Sequence, residues 1–229
     1  MEIIPIAYIR TAFPTKFGIP RQSGMTDARS RIVFEPEYRI PEAFRGLEEY
    51  SHIWVLWEFS EVTKKKWSPT VRPPRLGGNE RKGVFATRSP FRPNSIALSC
   101  LQLEEIVWDK KEGPVLVVTG ADMMDGTPIF DIKPYLPYVD SHPEARGGFT
   151  EKTMDYQLEV VWDNSCGMFI EGEQKQILTQ ILSLDPRPAY QNDPDRIYGM
   201  VYDNMEIKFQ VKDKKLFVVS IEKARKHLD

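Results

Sequence analysis

Over the first two thirds of the chain, apolar residues recur every second position or in short continuous runs, the spacing of strands rather than helices. Ile4 to Tyr8 alternates apolar and small residues, and Arg31 to Phe34 follows after a polar loop. The block His52 to Phe59 is almost continuously apolar, aromatic and β-branched, as a buried strand requires. Further strands are predicted at Gly83 to Thr87, Ser95 to Trp108, Val115 to Gly120 and Thr127 to Ile132. Turn-forming residues punctuate them, as in Pro73-Pro74, Gly77-Gly78-Asn79 and Asp125-Gly126. Many short strands with little helix between them predict a mainly β fold, an antiparallel β-barrel.

The pattern changes near Pro143 to Gly148, which divides the chain into a β-barrel domain at 1–145 and a small α+β domain at 146–229. Ile177, Leu178, Ile181 and Leu182 share one face of a helix predicted from Gln174 to Leu184. Met205 to Val211 alternates with period two, Lys212 to Lys215 makes a polar turn, and Leu216 to Ile221 returns as the partner strand.

Charge complicates the picture. The formal net charge of −2 argues against a nucleic-acid partner. Its distribution argues the other way, because nine basic residues stand against the single acid Glu80 between Lys64 and Arg92. Glu151 to Glu173 is the reverse, with six acids against Lys152. Such asymmetry suggests one face for a polyanion and another for solvent or a partner. No apolar run reaches the roughly eighteen residues of a membrane-spanning helix. The start, Met1-Glu2-Ile3-Ile4-Pro5, lacks the basic and longer apolar stretch of a secretory signal. Cys100 and Cys166 lie far apart and form no disulfide framework, so a cytoplasmic location is expected.

Absent motifs narrow the chemistry. No P-loop and no strand-borne G-x-G-x-x-G occurs, and none of His52, His142 and His227 pairs with another ligand at metal spacing. His52, at the mouth of an apolar strand, reads as a hydrogen-bonded structural histidine. What remains is a set of Pro/Gly-rich polar loops: FPTKFGIPRQ from Phe13, VRPPRLGGN from Val71, GVFATRSPFRPN from Gly83 and DGTPIFDIKPYLP from Asp125. Each mixes rigid prolines with glycines that permit close backbone approach, and turn formation alone accounts for any one of them.

In this order the strings resemble the TsaA/TrmO-like tRNA methyltransferases, and RGLEEYSHIW from Arg45 and DPRPAY at Asp185 to Tyr190 extend the resemblance over almost the whole chain. The resemblance implies a barrel of about seven strands and a homodimer with S-adenosylmethionine near its interface. It also implies methylation of tRNA at N6 of the threonylcarbamoyl-adenosine just 3′ of the anticodon. The implied cofactor set is Pro20, Arg21, Gln22, Phe59, Ser60, Arg88, Leu98, Asp125, Gly126, Thr127 and Pro128. Among these, Asp125 would meet the cofactor's positive end, Arg21 or Arg88 its carboxylate, and Phe59 and Leu98 its adenine. Asp125 or Asp131 would accept the proton that the target nitrogen loses, a choice the residues leave open.

Lys64, Lys65, Lys66, Arg72, Arg75, Arg81 and Arg92 would contact tRNA phosphates. Pairing of Arg72 and Arg75 with acids such as Glu58 or Glu61 is the structural alternative. Three positions depart from the family pattern: Ser60 stands where a histidine is usual, Ser95 where a proline is common and Ala97 where a glycine is common. A serine cannot titrate near neutral pH as a histidine does. The rival readings are a non-catalytic RNA- or partner-binding barrel and a methyltransferase for a small molecule.

Overall fold

Six runs in which alternate side chains point inward close on one another as an antiparallel barrel. The computed structural model describes residues 2–61, 67–76, 80–152, 154–163, 170–187, 191 and 193–224. Strands β1 (Ala7–Arg10), β2 (Arg29–Phe34) and β3 (His52–Glu58) precede a short ribbon, β4 (Thr70–Val71) and β5 (Lys82–Gly83). Strands β6 (Ile96–Asp109), β7 (Gly113–Thr119) and β8 (Pro128–Pro134) complete the wall, in the order β1-β2-β7-β6-β3-β8. Closure comes where β8 returns to β1, pairing Ala7 with Ile129 and Tyr8 with Pro128.

Ala7, Ile9, Ile32, Ile53, Val55, Trp57, Leu101, Leu116, Val118 and Ile129 fill the interior, so the barrel is a packed core rather than a channel. The resemblance implied about seven strands. Six close the wall, because β4 and β5 pair only with each other in the long connection from β3 to β6. The strand expected at Gly83 to Thr87 ends after Gly83 and becomes a 3₁₀ turn at Val84–Ala86. Thr87 Oγ1 donates to the Val84 carbonyl, and Arg92 Nη1 donates to the carbonyls of Val84 and Thr87. Such side-chain bonds offer the backbone an alternative to a sheet ladder.

Beyond the single helical turn α1 (Pro137–Asp140), β9 (Glu159–Trp162) leads to helix α2 (Gly172–Ser183). Strands β10 (Tyr198–Tyr202), β11 (Met205–Lys212) and β12 (Lys215–Lys223) then form a four-stranded sheet ordered β10-β11-β12-β9, with β9 parallel to β12. Asp213 and Lys214, both at positive φ, turn β11 into β12 as a two-residue hairpin requires. The helix and hairpin lie where the periodicity puts them, whereas β9 and β10 are additions to that pattern. Ile177, Leu178, Ile181 and Leu182 of α2 pack with Ile207, Phe209, Leu216 and Val218 of the sheet. Phe13 and Ala28, from the β1–β2 connection, belong to this second core as well.

A buried ion pair ties the two cores together. Arg187 donates from Nε to Asp185 Oδ1 at 2.8 Å and from Nη2 to Oδ2 at 2.9 Å, and Tyr156 donates its hydroxyl to Oδ2. Arg21 then reaches from the β1–β2 connection and donates to the carbonyls of Asp185 and Arg187 at 3.1 and 3.0 Å. Burial pushes the Asp185 carboxyl up, but the hydrogen bonds and charge of Arg187 outweigh it and leave it below its ordinary value. The stability this adds is present above the unfolded carboxyl pKa and lost as pH falls through the lower folded one.

A close backbone approach anchors the same connection. Gly24 N–H donates to the Gly120 carbonyl at 2.9 Å, and a Cβ on Gly120 would lie 2.9 Å from the Gly24 nitrogen. Gly120 also sits at φ +81°, where a side chain costs about 1–2 kcal/mol.

Arg187→Ala leaves the Asp185 carboxylate buried without its cation and destabilises by about 3–5 kcal/mol at neutral pH. Urea unfolding should show that gap narrowing in acid, as Asp185 becomes neutral in the variant. Gly120→Ala should lower the urea midpoint through both strain and contact, by at least the roughly 1–2 kcal/mol of the backbone term alone, and amide exchange should speed up first at residues 21–24.

Candidate active site

Antiparallel closure sends alternate connections to opposite ends of a barrel. Three of them, 11–28, 59–95 and 120–127, therefore meet at one end, beyond Arg10, Glu58 and Thr119. The motifs at 13–22, 71–79, 83–94 and 125–128 all fall within these connections. Residues far apart in the chain thus share one end of the fold.

Two sequence-predicted residues touch directly: Arg88 Nη1 donates to Gln22 Oε1 at 2.7 Å, joining the first two connections. Gln22 Nε2 in turn donates to the Arg21 carbonyl at 2.6 Å. Pro20 is buried, and the hydrogen bonds of Arg21 described above run to the turn that follows α2.

Most of the Asp125–Pro128 turn braces the barrel. Gly126 N–H donates to the Ile9 carbonyl, Asp125 N–H to that of Phe13, and Thr127 Oγ1 to that of Met124. Asp125 Oδ1 accepts the Thr11 N–H at 3.0 Å, and the exposed carboxylate faces solvent at this end. Phe59 stacks at an angle on Trp57, 4.5 Å between ring centres, and Ser60 is exposed just after it. Leu98 pairs with Leu56 on the outer wall and is 50% exposed, next to Ile96 at 37%.

Asp131 lies on the other side of Leu56 from Leu98. It pairs with Leu56 on the outer wall, accepts its neighbour Ile132's N–H, and bonds Lys133 Nζ at 2.8 Å. His52 is held as expected, with Nδ1 2.9 Å from Ser51 Oγ.

The basic stretch divides. Lys64, Lys65 and Lys66 lie outside the described residues, as does the side chain of Arg75. Arg72 is exposed. Arg81 donates to Thr70 Oγ1 and to its carbonyl, bracing the ribbon, and Arg92 holds the 84–87 turn with its guanidinium 5.6 Å from the Phe85 ring centre. Glu61 pairs with Lys16 at 3.5 Å.

One acidic residue here was not among the sequence candidates. Trp57 Nε1 donates to Ser99 Oγ at 2.9 Å, and Ser99 Oγ donates to Asp122 Oδ1 at 2.6 Å. Burial raises the Asp122 carboxyl above its ordinary value, against the lowering effects of Ser99, Arg88 and the Ser23 backbone amide. Asp122 carries no motif of its own. Its only signal in the chain is its place three residues before Asp125, in the same connection. The β-bulge between Leu56 and Trp57 on the β8 side lies beside this chain of polar groups, as bulges next to active sites often do.

Together the end of the barrel offers an exposed carboxylate, a guanidinium–amide pair and an apolar shelf. That set suits a ligand with a cationic group, a carboxylate and a flat ring.

Residues 8–141 match the model of the tRNA-methyltransferase O N-terminal domain, and residues 155–224 match that of the TrmO C-terminal domain. The tRNA (adenine(37)-N6)-methyltransferase of Escherichia coli is 36% identical over 233 residues, which cover 95% of this chain and 96% of that one. A Pseudomonas aeruginosa protein named as a candidate S-adenosylmethionine-dependent methyltransferase is 40% identical over 208 residues, 87% of each chain. A crystal structure of TrmO from Pseudomonas aeruginosa superposes with a TM-score of 0.77 at 31% identity, covering 98% of this chain and 97% of that one. With both family domains matched in order and their relatives aligned from end to end, this chain belongs to the tRNA-methyltransferase O family.

Proposed function

We propose that the protein transfers a methyl group from S-adenosylmethionine to N6 of the tRNA adenosine next to the anticodon, with the threonylcarbamoyl form of that adenosine as its substrate. The observation that carries this reading is the meeting at one barrel end of the three connections that hold Gln22, Arg88 and Asp125, with the Gln22–Arg88 bond linking two of them. The relatives' names supply the reaction and its position on tRNA. S-adenosylmethionine, when bound, supplies an electrophilic methyl on a sulfonium.

The chain's own groups do the rest. Arg88, held by Gln22, binds the cofactor's carboxylate, and the outward carboxylate of Asp125 takes its ammonium. Phe59 and Leu98 flank the adenine, while Pro20, Arg21 and the backbone of Gly126, Thr127 and Pro128 set the walls. Ser60 contributes only a hydroxyl where relatives of the resembling pattern carry a histidine. Methyl transfer is an in-line displacement, so rigid positioning by braced loops is the main source of acceleration.

Lys64, Lys65, Lys66, Arg72 and Arg75 provide phosphate contacts, with Arg81 and Arg92 holding the loops that present them. The protein acts as a cytoplasmic homodimer. Two exposed apolar groups on the outer wall, Leu98 and Ile96, support the dimer together with Phe85 at 73% exposure, because a second copy would cover them. The chain divides into the barrel, 1–145, and the small domain, 146–229. The two separate apolar cores support that division.

The reaction is tested by incubating the protein with S-adenosylmethionine and tRNA that carries or lacks the threonylcarbamoyl group, then weighing the nucleosides. A methyl mass on threonylcarbamoyl-adenosine, in the first sample only, is the expected result. No added methyl in either sample overturns the function in favour of a binding barrel. Leu98→Arg should convert the dimer to monomer in light scattering and weaken cofactor binding at least tenfold. A variant that stays dimeric would remove the proposed interface.

A further inference from the structure

We propose that Asp122 is the base that takes the proton from the target nitrogen, held in register by the Trp57–Ser99 pair. The proposal rests on the methyl-transfer reading above and assigns the one role that reading leaves open.

The indole N–H of Trp57 can only donate, so Ser99 Oγ must accept from it at 2.9 Å. The Ser99 hydroxyl proton is then directed to Asp122 Oδ1 at 2.6 Å. Asp122 Oδ1 is thereby engaged as an acceptor, and the proposal assigns the incoming proton to Oδ2.

Asp122 stands in the 120–127 connection. The Ser23 amide from the first connection and the Arg88 guanidinium from the second both act on its carboxylate. Arg88 is the charged group that acts on it, and it favours the ionised form. Burial more than offsets that effect and leaves the carboxyl a better base than an exposed aspartate.

The alternatives are occupied. Asp125 is assigned to the cofactor's ammonium in the reading above, and Asp131 is bonded to Lys133 at 2.8 Å.

The proton on the acceptor nitrogen moves to Asp122 Oδ2 while that nitrogen's electron pair forms the bond to the methyl carbon. The carbon–sulfur bond breaks with its electrons left on sulfur, which becomes a neutral thioether. Asp122 then releases its proton to solvent.

Asp122→Asn keeps an oxygen to accept from Ser99 but cannot take a proton. Its kcat on threonylcarbamoylated tRNA should fall by about 10²–10⁴-fold, with S-adenosylmethionine affinity by calorimetry within about threefold of native. Stability gives an independent readout. A carboxyl whose folded pKa is raised binds more protons folded than unfolded, so native stability falls as pH rises through that window. Asp122→Asn should therefore melt at or above the native temperature at pH 7.5, and the two curves should converge in acid. In the native protein, carbon NMR of the Asp122 carboxyl should titrate with the pKa of the acid limb of the pH–rate profile, a reading that needs no variant.

A variant kcat within fivefold of native overturns the proposal. So does a loss fully explained by weaker cofactor binding, or a carboxyl titration that does not match the acid limb. Native protein that leaves tRNA unmethylated overturns the function as well, whereas an active native protein with an active variant removes only the base.

Discussion

Closure of β8 onto β1 is the constraint on which the rest of the structure depends. It rests on a short register, Ala7 with Ile129 and Tyr8 with Pro128, reinforced by the turn at Asp125 to Pro128 donating to Ile9 and Phe13. An open six-stranded sheet would expose two edges and its inner apolar face. A closed one hides both, and its antiparallel order brings three connections to one end without further instruction. The turn that closes the barrel is also the one that lifts the Asp125 carboxylate into that end, so scaffold and site share residues.

The small C-terminal unit supports the same end from outside. Its buried Asp185–Arg187 pair would be of doubtful value as a stabiliser by itself, since taking two charges out of water offsets much of their attraction. Here its geometry serves a second purpose. Pairing fixes the turn whose two carbonyls receive Arg21, and Arg21 precedes the Gln22 that meets Arg88. A rigid turn 164 residues away in the chain thus orients a loop at the barrel mouth.

The chain Trp57–Ser99–Asp122 shows the opposite balance between stability and chemistry. A largely desolvated carboxylate whose hydrogen bonds do not offset its desolvation destabilises the folded state at neutral pH. Proteins retain such groups where activity needs them, and pKa values displaced by burial cluster at functional sites.

Much of the architecture was legible in the residues. Period-two alternation located the barrel strands, period 3.6 located α2, and Met205 to Ile221 read as a hairpin. The Pro/Gly-rich strings that carry the family resemblance marked the connections, although the string from Asp125 runs on through β8. Local pattern failed where long-range partners decide. Gly83 to Thr87 has the composition of a strand, but Arg92 captures its carbonyls. Glu159 to Trp162 is a four-residue run that becomes a strand only because β12 lies beside it.

Partners were likewise invisible in the chain. Arg21, Arg81 and Arg92 read as groups for a ligand or for RNA, and folding gave each of them backbone or hydroxyl acceptors within the protein. Asp122 read as nothing at all. The sequence by itself determined which segments are strands and helix, which loops are special and which family they resemble, because those properties depend on neighbours a few residues apart. Tertiary structure alone decided the number of strands in the wall, the meeting of Gln22 with Arg88 and the burial of Asp122 behind Ser99, because desolvation and hydrogen bonding depend on groups that only closure of the barrel brings together.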